Sequence, residues 1–542
     1  MSFTNSIEVN CNNCVGELRH IWTSIGFDEI NWSYTERGKY LLKTLKVRNE
    51  YLDTVMEKPY YVRNHNIFTS GNMLSYPAGG STNIYMENED GRAYYSFEII
   101  DKIYDNYVEH GFIPIIELDF MPLDLVPDSK DLSSDWAMGR DVGHESYEQN
   151  KWKLPPKDYK KWQQLIEIFA NHLYGRYGEQ VQNWYFEVWN EPNLTNYWLG
   201  SVEDYCKLYD YSVEAIKRVN KSFKIGGPAT SDIGTEFLKQ FLDHVTSGKN
   251  YVTNETGTAI DFISFHTKGA YYVPRRSYGH KVNHQSPSLA KILNDIRSNL
   301  IVCNEFEQLS NLPIFIDECD PAVGTIYGVY DNPNYNICNT EYYPCIVASM
   351  IYHILSLSSR IQMITHWSFY MEGKRLFEGN RTLMTNYNLH LPILSGLKLF
   401  GKLKYKRLLI ETNQIHSPIF GVATCDDENK SYQLLLFYHV DDWTHEDIQS
   451  ISITFKNIPS ENVLLRHYRI DSNHNNPYVE WVRMGKPDEL NPNQLEHLKH
   501  SQELKLLYAP VKYKIENNQL KLASFDLPSH SISFIELTNI SI

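Results

Sequence analysis

The stretch Asn183-Trp-Tyr-Phe-Glu-Val-Trp-Asn-Glu-Pro-Asn193 runs from an aromatic segment into an abrupt polar end. Residues 184–189 favour a buried strand, because aromatic and β-branched side chains pack well within a sheet. Pro192 lacks a backbone donor and predicts an extended backbone at Glu191, so the strand ends there. The sequence therefore predicts a carboxylate held at the tip of a rigid strand, beside the amide of Asn190.

A second apolar strand ends in a carboxylate further along the chain, at Leu312-Pro-Ile-Phe-Ile-Asp-Glu318. Asn-Glu-Pro alone is more often an ordinary strand-to-loop turn, and the second strand-end glutamate reverses that balance. Two carboxyl groups at the ends of core strands are what glycoside hydrolysis uses. The pair Glu191 and Glu318 therefore predicts a glycosidase.

The composition is that of a large folded enzyme. The chain has 542 residues, of which 42% are hydrophobic and 13% aromatic, enough for one large domain and one smaller one. A net charge of −15 disfavours nucleic acid or an anionic membrane as the main partner. The nearest approach to a membrane-spanning run, Cys345–Leu357, is too short and contains His353.

The N-terminal residues and the cysteines indicate the compartment. Residues 1–8 contain neither a basic region nor an apolar run, so no signal peptide is predicted and a cytoplasmic location is expected. Eight cysteines in this length are no disulfide framework, and reduced thiols are the default expectation. Cys11-x-x-Cys14 has no second pair and no histidines at zinc spacing, so we expect no metal and no cofactor.

A rhythm of strand then helix begins near Leu18 and continues to about Gly401. Eight such alternations predict a (β/α)8 barrel, with both glutamates at the face where barrel active sites form. A doubly wound open sheet is the alternative, but no Gly-rich dinucleotide motif follows the first strand. The predicted strands are Arg19–Thr23, Tyr60–Asn64, Ile113–Leu118, Trp184–Trp189, Lys224–Gly227, Phe262–His266, Ile314–Asp317 and Met363–Phe369.

Beyond residue 403 the hydrophobic pattern changes to strict alternation. Segments such as Gln433–His439 are typical of short strands, which predicts an antiparallel β-sandwich. The strand Ser6–Val9 is expected to join it, with Cys11–Gly16 as a connection. The predicted domains are a catalytic barrel over residues 18–400 and a sandwich formed by residues 1–17 and 401–542.

Phe186-Glu-Val-Trp-Asn-Glu-Pro192, together with the glutamate at position 318, resembles glycoside hydrolase family 39. Within that family the chain is more similar to the α-L-iduronidases than to the β-xylosidases. The resemblance covers nearly the whole chain, and Asp-Glu-x-Asp-Pro following His-x-Lys-Gly is its most specific feature. The segments that carry it are Leu18–Phe27, Asp261–Ala270, Pro313–Gly324, Arg381–Leu383, Arg466–Asp471 and Glu480–Pro487.

The resemblance implies a role for each strand-end residue. Glu191 would be the acid/base, and a carboxylate close by would raise its pKa by like-charge repulsion. Glu318 would be the ionised nucleophile. Asn190 would bind the sugar 2-hydroxyl group, a contact that strengthens in the transition state. Three further residues would contact the sugar, although each is as often a structural residue: His65, His266 and Trp367.

Lys268 and Arg381 decide the predicted substrate. In the α-L-iduronidases that the chain resembles, a lysine and an arginine at these motif positions bind the uronate carboxylate, and both cations suit that partner. A surface salt bridge is the alternative for each. One departure concerns the aspartate that those enzymes use after strand 8, because this chain has Ser368-Phe-Tyr-Met-Glu-Gly373 there. Glu372 is the candidate replacement.

These observations predict a retaining exo-glycosidase that hydrolyses terminal α-L-iduronides by a two-glutamate double displacement. Its partner would be an oligosaccharide or glycoside with a terminal uronic acid. A family relative that cleaves a neutral pentoside, such as a β-xyloside, is the alternative. A catalytically inert sugar-binding module is disfavoured, because both glutamates are present.

Overall fold

The computed structural model of the chain contains three sheets among its described residues. One is a nine-stranded parallel sheet, the second is a ten-stranded sheet that is mostly antiparallel, and the third is a two-stranded antiparallel sheet. The structure describes residues 4–27, 30–52, 60–70, 80–127, 151–270, 287–321, 328–330, 333–369, 375–379, 382–413, 417–428 and 430–540.

Strands and helices are numbered here in chain order. The strands are β1 (Asn5–Glu17), β2 (Ser24–Phe27), β3 (Tyr60–Asn64), β4 (Tyr85–Glu87), β5 (Ala93–Tyr95), β6 (Phe112–Glu117), β7 (Tyr185–Glu187), β8 (Lys224–Thr230), β9 (Phe262–Lys268), β10 (Ile314–Asp320), β11 (Ile361–Ile364), β12 (His366–Phe369), β13 (Lys406–Thr412), β14 (Ile419–Asp426), β15 (Ser431–Tyr438), β16 (Ile448–Lys456), β17 (Asn462–Ile470), β18 (Val511–Lys514), β19 (Gln519–Lys521), β20 (Phe525–Pro528) and β21 (Ser531–Asn539). The α-helices are α1 (Glu36–Leu52), α2 (Glu98–Glu109), α3 (Tyr159–Tyr177), α4 (Val202–Val219), α5 (Thr235–Ser247), α6 (Leu289–Cys303), α7 (Tyr342–Leu355), α8 (Pro392–Lys402), α9 (Pro477–Arg483) and α10 (Pro492–Ser501).

The parallel sheet closes into a barrel. Its strands follow the order β11, β10, β9, β8, β7, β6, β3, β2 and β12. β11 pairs with β10 and β12 pairs with β2, while only Thr365 separates β11 from β12. One interrupted strand therefore supplies the eighth position, and α1 to α8 follow the eight positions in turn. The predicted (β/α)8 barrel is confirmed.

Two local predictions near the N-terminus are wrong. The first barrel strand is Ser24–Phe27 and not Arg19–Thr23. Residues 18–22 are a buried connection in which the Arg19 guanidinium donates to the carbonyl oxygens of Leu355 and Ile361. Apolar spacing does not distinguish such a connection from a strand. Cys11–Gly16 is not a connection either, because β1 pairs with β13 as far as Glu17, across a bulge.

The second sheet forms the predicted sandwich at the C-terminal end of the chain. β1 joins it, antiparallel to β13 on one side and parallel to β16 on the other. Alternate residues such as Ile7, Val9, Ile451 and Ile453 are buried in its core. The domain boundaries at residues 17 and 400 stay a prediction. Within the described part of the chain, no helix has both the length and the apolar character needed to cross a membrane.

Candidate active site

The carboxyl ends of the barrel strands bring the predicted site residues together. Glu318 of β10 lies opposite His266 of β9 in the parallel register. His65 directly follows β3, and Glu191 lies four residues beyond the end of β7. Trp367 lies in β12, at the closure of the barrel. All five side chains are buried, so the site lies within the mouth of the barrel.

Glu191 has an uncommon backbone conformation. Its φ is +42°, and that of Trp189 is +68°. Residues other than glycine rarely adopt this left-handed region, and those that do cluster at functional sites. The extended conformation predicted from Pro192 is therefore wrong. The backbone N–H of Glu191 instead donates to the carbonyl oxygen of Ala229 at 2.9 Å, which ties this turn to β8.

The two glutamates meet at His266. Its Nδ1 lies 2.9 Å from Oε1 of Glu191 and 3.7 Å from Oε2 of Glu318. One oxygen of each glutamate and a ring nitrogen of His266 all lie within 4.8 Å of one another. This spacing is closer to the roughly 5–5.5 Å between carboxyl groups of retaining glycosidases than to the roughly 6.5–9.5 Å of inverting ones.

The two carboxyl groups differ in charge at neutral pH. Burial raises the pKa of Glu191 to about 8, and the negative charge of Glu318 adds to the effect. The pKa of Glu318 is instead held well below its ordinary value. Burial alone would raise it, but contacts with His266 and Lys268, aided by Arg63, outweigh that cost. One carboxyl group is therefore protonated while its neighbour is ionised.

Lys268 lies between two carboxylates. Its Nζ is 2.6 Å from Oε2 of Glu318 and 2.7 Å from Oδ2 of Asp320, and all three side chains are buried. The other oxygen of Asp320 accepts a hydrogen bond from the backbone N–H of Trp367 at 3.0 Å. Asp320, which sequence reasoning did not select, therefore links the lysine of β9 to the interrupted strand.

Trp367 is packed into the barrel wall. Its ring centroid lies 4.6 Å from that of His65 and 4.9 Å from the guanidinium carbon of Arg63. A Cβ atom at Gly26 would lie 1.8 Å from the indole of Trp367, so only glycine fits at this position of β2. These contacts agree with the core-packing alternative, and the stacking of a sugar on Trp367 stays a prediction.

Arg63 is the main residue of the site that sequence reasoning missed. It is fully buried, and its guanidinium nitrogens lie 2.6 Å from Glu117, 2.8 Å from Glu187 and 3.1 Å from Glu318. It also donates to Oδ1 of Asn190 at 3.1 Å. A buried charge needs charged or hydrogen-bonding partners. The charged Arg63 inside an apolar strand was therefore a signal of a buried ionic site, although the sequence does not show which residues are its partners.

His65 and Asn190 complete the arrangement. Nδ1 of His65 lies 2.8 Å from Oε2 of Glu117, and its Nε2 lies 3.5 Å from Oε1 of Glu318. Burial opposes protonation of this ring, but Glu117 and its other acidic neighbours raise the pKa of His65 well above the ordinary value. The amide nitrogen of Asn190 has no hydrogen-bond partner among the described residues, so a sugar hydroxyl group could satisfy it.

Two predicted contacts fall outside the described residues, namely Arg381 and Glu372. The chain on both sides of Arg381 is described, up to Gly379 and again from Thr382. The described residues 375–379 and 382–391 lie between β12 and α8 in the sequence, and such connections form the carboxyl face of a barrel.

Within the described residues, two groups have the spacing of metal ligands. The cations Arg63 and Lys268 each lie 2.6 Å from one member of a group, Arg63 from Glu117 and Lys268 from Glu318. Their charges disfavour a further cation at either place. The groups are His65, Glu117 and Asp119, and Glu191, His266 and Glu318.

A (β/α)8 barrel that joins one protonated and one ionised glutamate at its carboxyl face defines a glycoside hydrolase. Residues 5–518 match the model of glycosyl hydrolases family 39. The chain belongs to this family, and the resemblance drawn from the strand-end motifs is confirmed.

Relatives with two activities resemble the chain. A β-xylosidase from Caldicellulosiruptor saccharolyticus is 29% identical over 465 residues, which are 84% of this chain and 86% of that protein. An α-L-iduronidase from Mus musculus is 22% identical over 363 residues, 60% of this chain and 54% of that protein. The solved structure of a bacterial orthologue of human α-L-iduronidase shares the fold, with a TM-score of 0.79, 17% identity and coverage of 100% of this chain and 84% of that one.

Proposed function

We propose that the chain is a retaining glycosidase in which Glu318 is the nucleophile and Glu191 the acid/base. The observation that carries the proposal is the opposite direction of the pKa shifts on two neighbouring carboxyl groups. Double displacement needs one group to give a proton while the other attacks, and the surroundings of these two residues separate the two tasks.

In the first step, Glu191 gives its proton to the glycosidic oxygen as the bond from that oxygen to the anomeric carbon breaks. An oxygen of Glu318 attacks the anomeric carbon from the opposite face and forms a glycosyl ester. Arg63 and Lys268 orient this carboxylate, because they contact its Oε1 at 3.1 Å and its Oε2 at 2.6 Å.

In the second step, water attacks the anomeric carbon and the ester bond to Glu318 breaks. Glu191, now ionised, takes the proton from this water and returns to its starting state. Formation of the ester removes the negative charge of Glu318, which was one cause of the raised pKa of Glu191. The pKa of Glu191 therefore falls in the intermediate, and the residue becomes a base when a base is needed.

The proposed substrate is a terminal α-L-iduronide. Lys268 supports it, because this buried cation lies beside the proposed nucleophile, where a carboxylate on the sugar ring would find a charged donor. The resemblance of residues 261–270 and 313–324 to the α-L-iduronidases also supports it. One charge-assisted hydrogen bond contributes roughly 1.5–3 kcal/mol, about ten- to a hundredfold in affinity or rate.

A β-xyloside is the second candidate substrate. The higher identity to a β-xylosidase, 29% against 22% for the mouse iduronidase, favours it. The pairing of Lys268 favours it as well, because Glu318 and Asp320 already balance the charge of the lysine without a substrate carboxylate.

Rates on an aryl α-L-iduronide and an aryl β-xyloside decide between the two substrates. The proposal expects the higher kcat/KM for the iduronide, and a higher value for the xyloside would overturn it while leaving the double displacement intact. Proton NMR of the first-formed sugar tests the mechanism separately. It should show the anomeric configuration of the substrate, and an inverted sugar would contradict the nucleophilic role of Glu318.

A lysine variant then tests the carboxylate contact. Lys268→Met also perturbs Glu318, so the measurement is the ratio of kcat/KM for the aryl iduronide to that for the aryl α-L-idoside, which lacks the carboxylate. We expect this ratio to fall about tenfold or more. The matched control is Lys291→Met, since Lys291 is a nearby lysine paired with Asp232 and Asp295. An unchanged ratio in Lys268→Met would remove Lys268 from substrate binding.

A further inference from the structure

The two ring nitrogens of His266 face different groups of side chains. Nδ1 faces the two glutamates, 2.9 Å from Oε1 of Glu191 and 3.7 Å from Oε2 of Glu318. Nε2 lies 3.4 Å from Nη2 of Arg63 and 3.5 Å from Oδ1 of Asp317. The ring therefore stands between the catalytic pair and the buried charges of the barrel interior, and its hydrogen atom can serve only one side.

Arg63 decides which ring nitrogen carries that hydrogen atom. Its guanidinium has five N–H donors, no acceptor, and stays protonated in proteins. The hydrogen bond between Nη2 of Arg63 and Nε2 of His266 therefore has the arginine as its donor. Nε2 must be the acceptor, and a neutral imidazole that accepts at Nε2 carries its hydrogen atom on Nδ1.

The charges around His266 keep its ring neutral. Burial, aided by Arg63 and Lys268, holds the pKa of His266 well below its ordinary value, although the charge of Glu318 opposes them. Asp317 is the neighbour that would draw a hydrogen atom to Nε2 if it were ionised. Burial raises the pKa of Asp317 well above its ordinary value, so this carboxyl group is protonated and does not compete.

The hydrogen atom on Nδ1 in turn decides how Glu191 holds its proton. Nδ1 of His266 donates to Oε1 of Glu191, and a second hydrogen atom on that oxygen would point at the first. The carboxyl proton of Glu191 is therefore on Oε2. The side chain of Glu191 is 11% exposed and that of His266 is 0% exposed, so the carboxyl group reaches the mouth of the barrel in front of the ring.

We propose that His266 is a positioning residue whose Nδ1–H holds Oε1 of Glu191, so that the catalytic proton leaves from Oε2 and returns to Oε2. The proposal rests on the proposed role of Glu191 as the acid/base. When Oε2 gives its proton to the glycosidic oxygen, the bond from that oxygen to the anomeric carbon breaks and Glu191 becomes ionised. The hydrogen bond from His266 is then charge-assisted and stronger, which stabilises the ionised form. In the second step, water returns a proton to Oε2.

The position of the hydrogen atom can be measured directly in the wild-type enzyme. Nitrogen NMR of protein labelled with ¹⁵N in its histidine rings distinguishes a protonated ring nitrogen from an unprotonated one. The signals of His266 are those absent from the His266→Gln variant. We expect a protonated Nδ1 and an unprotonated Nε2, and the reverse assignment would overturn the proposal.

A matched pair of variants tests the effect on catalysis. His266→Asn can place an amide N–H near the position of Nδ1, whereas the longer side chain of His266→Gln reaches towards Nε2 and leaves Glu191 without a donor. For a phenyl glycoside, which needs protonation of its leaving group, His266→Gln should lower kcat/KM about ten- to a hundredfold. For the dinitrophenyl glycoside of the same sugar it should have little effect. His266→Asn should stay close to the wild type on both substrates.

The predicted contact of His266 with the sugar is the alternative role, and it gives a different result. A lost sugar contact lowers kcat/KM by the same factor for both leaving groups, and that outcome, or equal losses in the two variants, would overturn the proposal. His172→Gln is the control, because His172 of α3 is paired with Asp101. It should leave the dependence on the leaving group unchanged.

The proposed function can fail separately from this inference. If Glu191→Ala itself lowered kcat/KM equally for the phenyl and dinitrophenyl glycosides, the acid/base role of Glu191 would be refuted. The NMR measurement needs no substrate, so the placement of the hydrogen atom on His266 would still be decided by its own result. Thermal unfolding of each variant shows whether a loss of activity is a loss of structure.

Discussion

Two successive layers of side chains fill the barrel interior, and they differ completely in character. The lower layer is apolar and aromatic, with ring centroids 4.8 Å apart at its closest contacts. The upper layer lies two residues further along four of the same strands and is charged. The lower layer consists of Tyr61, Ile115, Tyr185, Phe262, Phe315 and Met363. The upper residues on the shared strands are Arg63, Glu117, Glu187 and Asp317.

The comparison shows that the upper layer contains buried groups that lower the stability of the barrel. Burial of the rings is favourable by itself. Burial of several carboxyl groups is not, and one sign of the cost is that burial and the adjacent Glu187 raise the pKa of Asp317 well above its ordinary value. The lower layer therefore supports the fold, while the upper layer contacts the groups proposed to act on the sugar, as Arg63 contacts Glu318.

The largest effect on activity should come from removing the proposed nucleophile, which Arg63 of the charged layer contacts. Glu318→Ala abolishes the covalent route, so kcat on an aryl glycoside should fall by about 100,000-fold. Glu191→Ala should spare the first step on substrates with good leaving groups, because these need little protonation. Added azide should restore turnover with retention in the Glu191 variant and give an inverted azide in the Glu318 variant. The opposite pattern would exchange the two roles.

The second effect is on stability and compares the layers directly. Arg63→Met leaves Glu117, Glu187 and Glu318 without their shared cation, so the free energy of unfolding should fall by about 3–5 kcal/mol. Phe315→Leu, in the layer below, should cost only about 1 kcal/mol. Urea unfolding of both variants measures the difference. Equal losses in the free energy of unfolding would mean that the charged layer is no more sensitive to substitution than the apolar layer.

The third effect is a pH dependence. Since the pKa of Glu191 is about 8 and that of Glu318 is well below its ordinary value, kcat/KM should fall as pH rises past about 8 and stay level down to acid pH. Asp232→Asn should move this alkaline limb to lower pH, because the charge of Asp232 helps to raise the pKa of Glu191. Asp295→Asn, which removes another partner of Lys291, should move it less. An alkaline limb that stays fixed in Asp232→Asn would belong to another group.

The smallest expected effect concerns the thiols, which belong to neither layer. No disulfide joins any of the eight cysteines, all of which lie in the described part of the chain. We propose that the protein works in a reducing cytoplasm, so dithiothreitol should change neither its activity nor its unfolding temperature. Inactivation by the reductant, traced to a broken disulfide, would indicate export instead.

The strand-end glutamates could be found from the sequence because each follows an apolar run, and the change of character is local. The (β/α)8 barrel could be predicted because apolar strand patterns alternate eight times with helical ones. Arg63 could not be assigned its partners in this way. It meets Glu187 and Glu318 only when the barrel closes, and those residues are 124 and 255 positions away.

Other features depend on tertiary contacts that no local pattern encodes. Residues 18–22 are as apolar as a strand, yet the pairing of β2 begins only at Ser24. The left-handed backbone of Glu191 overrides the preference that Pro192 imposes, because Ala229 of β8 captures its N–H. Asp320 looked like part of a motif, and its link between Lys268 and Trp367 appears only in the folded barrel.

The position of β1 also bears on how the chain is made. Asn5 and its hydrogen-bond partner Gln449 are separated by 444 residues. At a translation rate of about 5–20 residues per second, on the order of 20–90 seconds pass between the synthesis of the two. For most of that interval neither of the strands that pair with β1, namely β13 and β16, has been made. Unpaired strand edges are the condition in which strands associate with other chains. The residues of β1 are synthesised long before the strands that pair with them, and the speed of the ribosome sets how long they must be kept from aggregating.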